Sequence, residues 1–211
     1  ILFDTSASQT SLYRDKALAA LDTLLAGLNR SDRVQLVAVD LDAVPLTEDF
    51  VAPQSAALEQ AVVALKQRAP LGATDMPAAL RSAAELLDKS TSDRVVLYIG
   101  DGMSTARFLE LDDYRLLTAA LAEARIPVSS FAVGPRLDTQ LLASLANQTG
   151  GVLVVDGESI DAKQAGAFLA SAAHAAVAWP QAVAWPQALA EVYPKRMPPL
   201  RSDRDTVVFG K

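Results

Sequence analysis

Short apolar runs alternate with helical patterns along most of the chain. Apolar runs such as Val95–Ile99 are typical of strands that are buried on both faces. Between the runs, apolar residues recur three and four positions apart, as at Leu58, Ala61 and Leu65, and this spacing predicts amphipathic helices. The predicted strands are 1–3, 34–39, 43–46, 95–99, 127–133 and 152–155. The predicted helices contain the apolar stripes within 10–29, 58–65, 80–87, 117–124, 139–146 and 169–176.

The alternation of strands and helices predicts an α/β fold. A doubly wound, mostly parallel sheet would carry helices on both faces, as in a Rossmann-like domain. One strand is expected to differ, because residues 43–46 follow the preceding strand after a tight acidic turn. Such a short connection predicts an antiparallel strand at the edge of the sheet. Pro77 falls in the first turn of its predicted helix, where proline is tolerated.

The character of the sequence changes after Ala176. The hexapeptide Ala-Val-Ala-Trp-Pro-Gln occurs twice in succession from this residue, which we interpret as a local duplication. Five prolines, from Pro180 to Pro199, lie within and after the two copies and rule out a continuing helix. Short strands are predicted at 189–193 and 206–209. We therefore predict an α/β domain over 1–176 and a β-rich extension over 177–211, the start of a truncated neighbouring module.

The chain begins with Ile1 rather than Met, and we expect it to be a fragment of a longer protein. Its long uncharged stretch, 164–190, is rich in alanine and is interrupted by Pro180 and Pro186. A membrane-spanning helix needs about 20 strongly apolar residues. This stretch therefore predicts a buried helix followed by extended chain, and no membrane span.

The composition excludes several classes of function. The 211 residues include no cysteine and a single histidine, His174, which excludes a disulfide framework, a cysteine nucleophile and a multi-histidine zinc site. The net charge is -6, from 19 basic and 25 acidic residues, and this argues against nucleic-acid binding. P-loop and dinucleotide-binding motifs are absent from the sequence, and so is the Gly-x-Ser-x-Gly elbow of serine hydrolases.

Polar side chains occur at the points where predicted strands end. One group follows the first strand, a second follows the strand at 95–99, and a third precedes the helix that contains Pro77. In an open α/β sheet, ligands bind beyond the carboxyl ends of the strands, so we expect these groups to converge there. The five candidate ligands are Asp4, Ser6, Ser8, Thr74 and Asp101.

All of the candidate ligands are oxygens, from three hydroxyls and two carboxylates. An all-oxygen set suits a hard cation such as Mg²⁺, which takes six oxygens and keeps some of its waters. Serine and threonine do not neutralise a metal, so an ion held mainly by hydroxyls stays electrophilic. Such an ion can accept one more anionic oxygen, which predicts a docking site for an Asp or Glu of a protein partner.

The same residues carry a family resemblance. The Asp-x-Ser-x-Ser motif that begins at Asp4, then Thr74, then Asp101 within Gly-Asp-Gly, resembles the metal-ion-dependent adhesion site of von Willebrand factor type A domains. The resemblance covers about 1–176. It includes segments within 126–151, which are similar to the last strand-helix-strand unit of that family.

Two positions depart from the pattern of the family. Ala7 replaces a glycine that is common in the motif, and Gly100 stands where the family often has threonine, but neither change removes a ligand. The segment between Tyr193 and Thr206 resembles the β extension of bacterial relatives. Those relatives are similar to the inter-α-trypsin-inhibitor heavy-chain (VIT) type, in which a β module precedes the A domain.

The resemblance implies a site and a function. By this resemblance Ser6, Ser8 and Thr74 would be hydroxyl ligands of Mg²⁺ (or Mn²⁺ or Ca²⁺), and Asp4 and Asp101 would act directly or through water. It implies a non-enzymatic module for cell adhesion or complex assembly, whose partner is a protein that supplies an Asp or Glu carboxylate. It also favours an extracellular, periplasmic or cell-surface location.

Two alternative functions share the metal site. A haloacid-dehalogenase-type, Mg²⁺-dependent phosphatase also places a first-strand Asp and a later Gly-Asp at its site, but it commonly needs an acid where this chain has Ser6. In a structural von Willebrand A domain, the metal would only fix the loops. Outside the cluster, Asp75 is predicted to cap the following helix, and His174 to serve packing or the surface rather than catalysis.

Overall fold

The computed structural model describes residues 1–88 and 92–211, and within these residues six strands form one central sheet. The strands are β1 (Leu2–Asp4), β2 (Val37–Val39), β3 (Ala43–Pro45), β4 (Val96–Gly100), β5 (Val128–Ala132) and β6 (Leu153–Val155). Their order in the sheet is β3-β2-β1-β4-β5-β6. All neighbouring pairs are parallel except β2 and β3, which are antiparallel.

Helices cover both faces of this sheet. In the described part of the chain they are α1 (Ser11–Ala26), α2 (Ala56–Gln67), α3 (Met76–Asp88), α4 (Leu111–Glu123), α5 (Thr139–Thr149) and α6 (Ala162–His174). On one face, α1, α2 and α6 pack in a core that contains Phe3 of β1. On the other face, α3, α4 and α5 pack in a core that contains Tyr98 of β4. Because the inner strands lie between two cores, they are mostly apolar on both faces, although β5 buries Ser129 and Ser130.

The structure confirms the predicted α/β fold and corrects some of the predicted bounds. β3 is the antiparallel edge strand that the short acidic turn predicts. The strand predicted over 34–39 is shorter, because β2 begins at Val37 while Val34 forms a separate bridge with Val51. The first helix ends at Ala26 rather than near residue 29. The described residues contain no helix that is both long and apolar enough to cross a membrane.

Residues 177–211 form two small antiparallel strand pairs outside the central sheet. The pairs are β7 (Val177–Ala178) with β9 (Leu200–Arg201), and β8 (Val192–Tyr193) with β10 (Phe209–Gly210). The strands predicted at 189–193 and 206–209 therefore both begin too early, and the second also ends one residue before Gly210. Pro194, which directly follows β8, has no N–H for a further ladder bond, and the backbone N–H of Leu189 bonds within a turn.

Arg201 connects this C-terminal segment to the helices. Its buried guanidinium donates hydrogen bonds to the carbonyl oxygens of Gly150, at 2.8 Å, and of Ala172, at 3.2 Å. These carbonyls lie at the C-terminal ends of α5 and α6, where unpaired carbonyl groups favour a positive charge. Asp203 binds the same guanidinium at 2.7 Å. The domain boundary at residue 176 stays a prediction. The hydrogen bonds of the Arg201 side chain are the main polar contact across this boundary.

Deleting residues 178–211 is expected to leave a cooperatively folding domain, because the central sheet and both cores lie within 1–176. The free energy of unfolding should fall by about 1–3 kcal/mol, because the charge-assisted hydrogen bonds of Arg201 are lost. Urea unfolding of the shortened chain measures this difference. Arg201→Met in the 211-residue chain should reproduce most of the loss. An unfolded 1–177 fragment would show that the boundary is wrong.

Candidate metal site

Three loops meet at the carboxyl ends of the central strands. Asp4 is the last residue of β1, Asp101 follows the neighbouring β4, and Thr74 precedes α3. The loop after β1 is joined to the loop before α3 by a hydrogen bond of 3.1 Å from the Ala7 N–H to the Gly72 carbonyl. Because β1 and β4 are parallel neighbours, their carboxyl ends lie side by side. The fold thus brings the two carboxylates together.

Asp4 is fully buried, and its carboxylate accepts hydrogen bonds from three residues. Oδ1 accepts the backbone N–H of Ser6, and Oδ2 accepts the hydroxyl of Tyr98, each at 2.9 Å. The hydroxyl of Thr74 lies 3.2 and 3.3 Å from the two oxygens. A carboxylate has about four acceptor positions, so these donors leave little free capacity on Asp4. The arrangement suits a carboxylate that reaches a cation through water.

The two serine hydroxyls lie close to Asp101. The Oγ atoms of Ser6 and Ser8 are 2.9 Å apart. The side chains of Ser8 and Gln9 lie near the Asp101 carboxylate and favour its ionised form. Asp101 also accepts the backbone N–H of Met103 at 2.9 Å. All five predicted side chains therefore lie in one cluster. Four of them are buried, and Ser8 is half-buried.

Burial disfavours the ionised form of both carboxylates. It raises the pKa of Asp4 from 3.8 to about 6, and the neighbouring charge of Asp101 adds to the shift. Burial also raises the pKa of Asp101, although hydrogen bonds from Ser8 and the Met103 N–H oppose this change. Two buried carboxylates beside neutral hydroxyls form an electronegative site. A divalent cation is the kind of group that would stabilise both charges.

Replacing Asp4 by Asn is expected to stabilise the metal-free chain near neutral pH. The folded-state pKa of Asp4 lies above its unfolded value, so the folded chain loses stability through this group as pH rises from about 4 to about 6. Asp4→Asn removes that charge. In EDTA, the melting temperature of the Asp4→Asn variant should exceed that of the wild-type chain by a few degrees at about pH 7.5. The difference should be smaller at about pH 4.5. An equal difference at both pH values would contradict the burial of a charged Asp4.

Two residues that are not among the sequence candidates also belong to the site. Tyr98 reaches Asp4 with its hydroxyl, and Gln9 donates to the Val133 carbonyl at 2.9 Å while contacting Asp101. Among the described residues, Oε1 of the buried Gln9 has no hydrogen-bond partner. Tyr98 lies within an apolar run and is interpreted as core from sequence alone. For Gln9, the one available signal was its position directly after the serine motif.

Outside the cluster, the structure confirms the cap predicted at Asp75 and the surface position predicted for His174. Asp75 accepts the backbone N–H of Ala78 at 2.8 Å and caps α3. His174 lies at the C-terminal end of α6, at the opposite edge of the sheet from Asp4, and its Nε2 is 2.8 Å from Asp32. Within residues 1–88 and 92–211, no group of three or more His, Cys, Asp and Glu side chains could hold a metal. A cation at the cluster would therefore depend on hydroxyl oxygens.

The fold and the cluster define a class of α/β binding domain. In this class the polar site lies at the carboxyl ends of the parallel strands, and there is no phosphate-binding glycine loop. The sequence profile of the von Willebrand factor type A domain matches residues 1–155, and the chain belongs to this family. Domains of this family are generally non-enzymatic and mediate protein–protein interactions. The match gives no sign of a dehalogenase-type phosphatase. No curated protein sequence matches the chain.

Solved structures share the fold at low sequence identity. A von Willebrand factor type A structure from Catenulispora acidiphila matches with a TM-score of 0.71 and 15% identity, over 84% of this chain and 42% of that one. An aerotolerance-related membrane protein from Bacteroides fragilis matches with a TM-score of 0.63 and 16% identity, over 82% and 96%. The manganese-loaded TRAP protein of Plasmodium vivax matches with a TM-score of 0.56 and 20% identity, over 69% and 60%. These identities support the fold alone.

Proposed function

We propose that this chain is a divalent-metal-dependent protein-binding module that docks an acidic side chain of its partner. The observation that carries the proposal is the convergence of three hydroxyls and two buried carboxylates at one sheet edge, where the serine oxygens are 2.9 Å apart. The cation would be Mg²⁺, with Mn²⁺ or Ca²⁺ as alternatives. The proposed ligands, direct or through water, are Asp4, Ser6, Ser8, Thr74 and Asp101.

The hydrogen bonds of the cluster support a site built on hydroxyls. A neutral hydroxyl that gives a lone pair to a cation keeps its proton, and this proton needs an acceptor. Thr74 has such an acceptor in Asp4, and the hydroxyl of Ser8 lies near the Asp101 carboxylate. The two carboxylates thus orient the hydroxyls. Neutral hydroxyl oxygens would not compensate the positive charge of a bound Mg²⁺. A carboxylate from a partner would therefore be a better additional ligand for the ion than water.

The same geometry favours binding over chemistry. Asp4 and Asp101 are engaged by hydrogen bonds, and His174 lies at the other edge of the sheet. The other carboxylate beside the cluster, Asp75, caps α3 by accepting the N–H of Ala78. The net charge of -6 repels an acidic partner at long range, so association would rely on the local field of the cation.

Two of the similar structures support a proposal about the biological role and location of this module. The similar structures include a protein described as manganese-loaded and one described as a membrane protein. We therefore propose a role in adhesion or complex assembly at an extracellular, periplasmic or cell-surface location. We also propose that residues 177–211 begin a neighbouring β module of the VIT-associated kind, because their strand pairs lie outside the central sheet.

A peptide-display selection on the chain in Mg²⁺ buffer tests the function. Selected peptides should contain an Asp or Glu, and their binding to the chain should be lost in EDTA. Binding should also be lost when the acidic residue of the peptide is changed to its amide. The variant Ser6→Ala/Ser8→Ala of the chain should not bind the selected peptides. The matched control is Ser31→Ala/Ser202→Ala, which changes two exposed serines outside the cluster and should bind as wild type does.

Other outcomes identify the alternatives. Binding that is lost in EDTA and with Ser6→Ala/Ser8→Ala, but survives the change of acid to amide, would indicate that the metal only fixes the loops. Binding that ignores EDTA would exclude metal-dependent docking altogether. Hydrolysis of a phosphoester that needs both Mg²⁺ and Asp4 would indicate a phosphatase.

A further inference from the structure

The hydroxyl of a buried tyrosine hydrogen-bonds to Asp4 and to the backbone beside Asp101. Tyr98 is fully buried in β4, and its hydroxyl donates to Oδ2 of Asp4 at 2.9 Å. The same oxygen accepts the backbone N–H of Gly102 at 3.0 Å. Gly102 directly follows Asp101. One hydroxyl therefore fixes the orientation of the Asp4 carboxylate relative to the backbone beside the second carboxylate.

Gly100 provides the space that this arrangement needs. Tyr98 and Gly100 are two residues apart in β4, so their side-chain positions lie on the same face of the sheet. A Cβ atom on Gly100 would lie 2.4 Å from the Tyr98 hydroxyl oxygen and 2.4 Å from Cβ of Asp4. Atoms cannot approach so closely. The absence of a side chain at 100 lets the tyrosine ring extend along the strand to Asp4.

We propose that Tyr98 is a positioning residue that holds Asp4 in a hydrogen-bonded orientation and thereby selects small, six-coordinate cations over Ca²⁺. This inference rests on the metal site of the proposed function. Tyr98 occupies Oδ2, the N–H of Ser6 occupies Oδ1, and the hydroxyl of Thr74 lies between the two oxygens. A carboxylate held in this way cannot turn to present both oxygens to a cation.

The selectivity follows from what each cation requires. Mg²⁺ demands six oxygens in near-ideal octahedral geometry and keeps several waters, and Mn²⁺ suits similar oxygen sites. Ca²⁺ takes six to eight oxygens and often binds both oxygens of one carboxylate. Fixing Asp4 by the Tyr98 hydroxyl therefore suits the water-mediated contact of the smaller ions. Releasing Asp4 would make a further direct ligand available, which favours Ca²⁺.

Tyr98→Phe tests the proposal, because it removes the hydroxyl and keeps the ring that fills the core. The affinity for Mn²⁺ is expected to fall about tenfold, the lower end of the range for a lost supporting hydrogen bond. The affinity for Ca²⁺ is expected to be unchanged or higher, so the ratio of the two affinities changes by about tenfold or more. Calorimetric titration of the 211-residue chain with each ion measures both values.

Tyr114→Phe is the matched control. The hydroxyl of Tyr114 pairs with Ser144 between α4 and α5, outside the cluster, so this variant should keep both affinities. A purely structural role of Tyr98 would weaken Mn²⁺ and Ca²⁺ binding equally, and that result would overturn the proposal. Unchanged affinities in Tyr98→Phe would also overturn it while leaving the proposed function intact. A wild-type chain that binds neither ion would overturn both.

A second measurement needs no variant and covers the case in which Tyr98→Phe does not fold. In the wild-type chain, the buried hydroxyl proton of Tyr98 should give a slowly exchanging NMR signal. This signal should persist when Mg²⁺ saturates the site, because the hydrogen bond to Asp4 is kept. Its loss on addition of Mg²⁺ would show that Asp4 leaves the tyrosine to bind the ion, and would overturn the proposal.

Discussion

The variant Asp4→Ala/Asp101→Ala is expected to bind no divalent cation at concentrations that saturate the wild-type chain. Without Asp4, the hydroxyl of Thr74 loses the acceptor for its proton, and the backbone N–H of Ser6 loses its partner. Without Asp101, the hydroxyl of Ser8 loses the carboxylate near it. The three hydroxyls then have neither fixed orientations nor a negative charge beside them, and neutral oxygens alone bind Mg²⁺ weakly.

Calorimetry with Mn²⁺ and Mg²⁺ measures this effect, and it should show one site in the wild-type chain. Asp101→Ala alone is expected to weaken binding by about 10–100-fold, or more if its contact with the cation is direct. The matched control is Asp75→Asn, which removes a carboxylate next to Thr74 but keeps the cap of α3, because asparagine is an equally good capping residue. Wild-type affinity in the double variant would exclude the ligand assignment.

Gly151→Ala is expected to lower the free energy of unfolding by at least about 3 kcal/mol, and the variant is expected to fold poorly. A Cβ atom at this position would lie 1.8 Å from the carbonyl oxygen of Val128 and 2.3 Å from its carbonyl carbon. These are backbone atoms of β5, so no change of rotamer can relieve the overlap. The connection between α5 and β6 would have to move away from the sheet, which would disrupt the pairing of β5 with β6.

Gly157→Ala provides the comparison, because it makes the same chemical change six residues later. No described atom of a non-neighbouring residue lies within 4 Å of a Cβ built at this position. The free energy of unfolding of the Gly157→Ala variant should therefore stay within about 0.5 kcal/mol of the wild-type value. Urea unfolding of both variants measures the difference. Equal stabilities for Gly151→Ala and Gly157→Ala would contradict the close approach of the chain to β5.

The pattern of the sequence was sufficient to predict the architecture. Buried parallel strands must be apolar on both faces, and helices on a sheet must be apolar on one side, so both leave periodic signals. The candidate ligands could be predicted for a related reason. Each one directly follows a strand or precedes a helix, and parallel strands bring their carboxyl ends to one edge. The positions of Asp4, Thr74 and Asp101 along the chain therefore implied their proximity.

The environment of those ligands depended on the tertiary structure. Tyr98 lies in an apolar strand, and nothing in the strand pattern distinguishes a tyrosine that fills the core from one whose hydroxyl binds Asp4. The buried contact of Arg201 with the ends of α5 and α6 has no local signal either, because the residues concerned are 29 and 51 positions apart. The bounds of the short strands β8 and β10 likewise follow from which backbone groups find partners.

The sequence by itself determined the order of strands and helices, the antiparallel edge strand and the identity of the clustered oxygens, because these properties depend on local periodicity and on strand direction. Only the tertiary structure decided which glycines must lack a side chain. Gly151 and Gly157 look equivalent in sequence, yet one lies against the backbone of β5 and the other has open space around it. Close approach between distant segments is a property of the packed chain, and this is also why the partnership of Tyr98 with Asp4 appeared only in three dimensions.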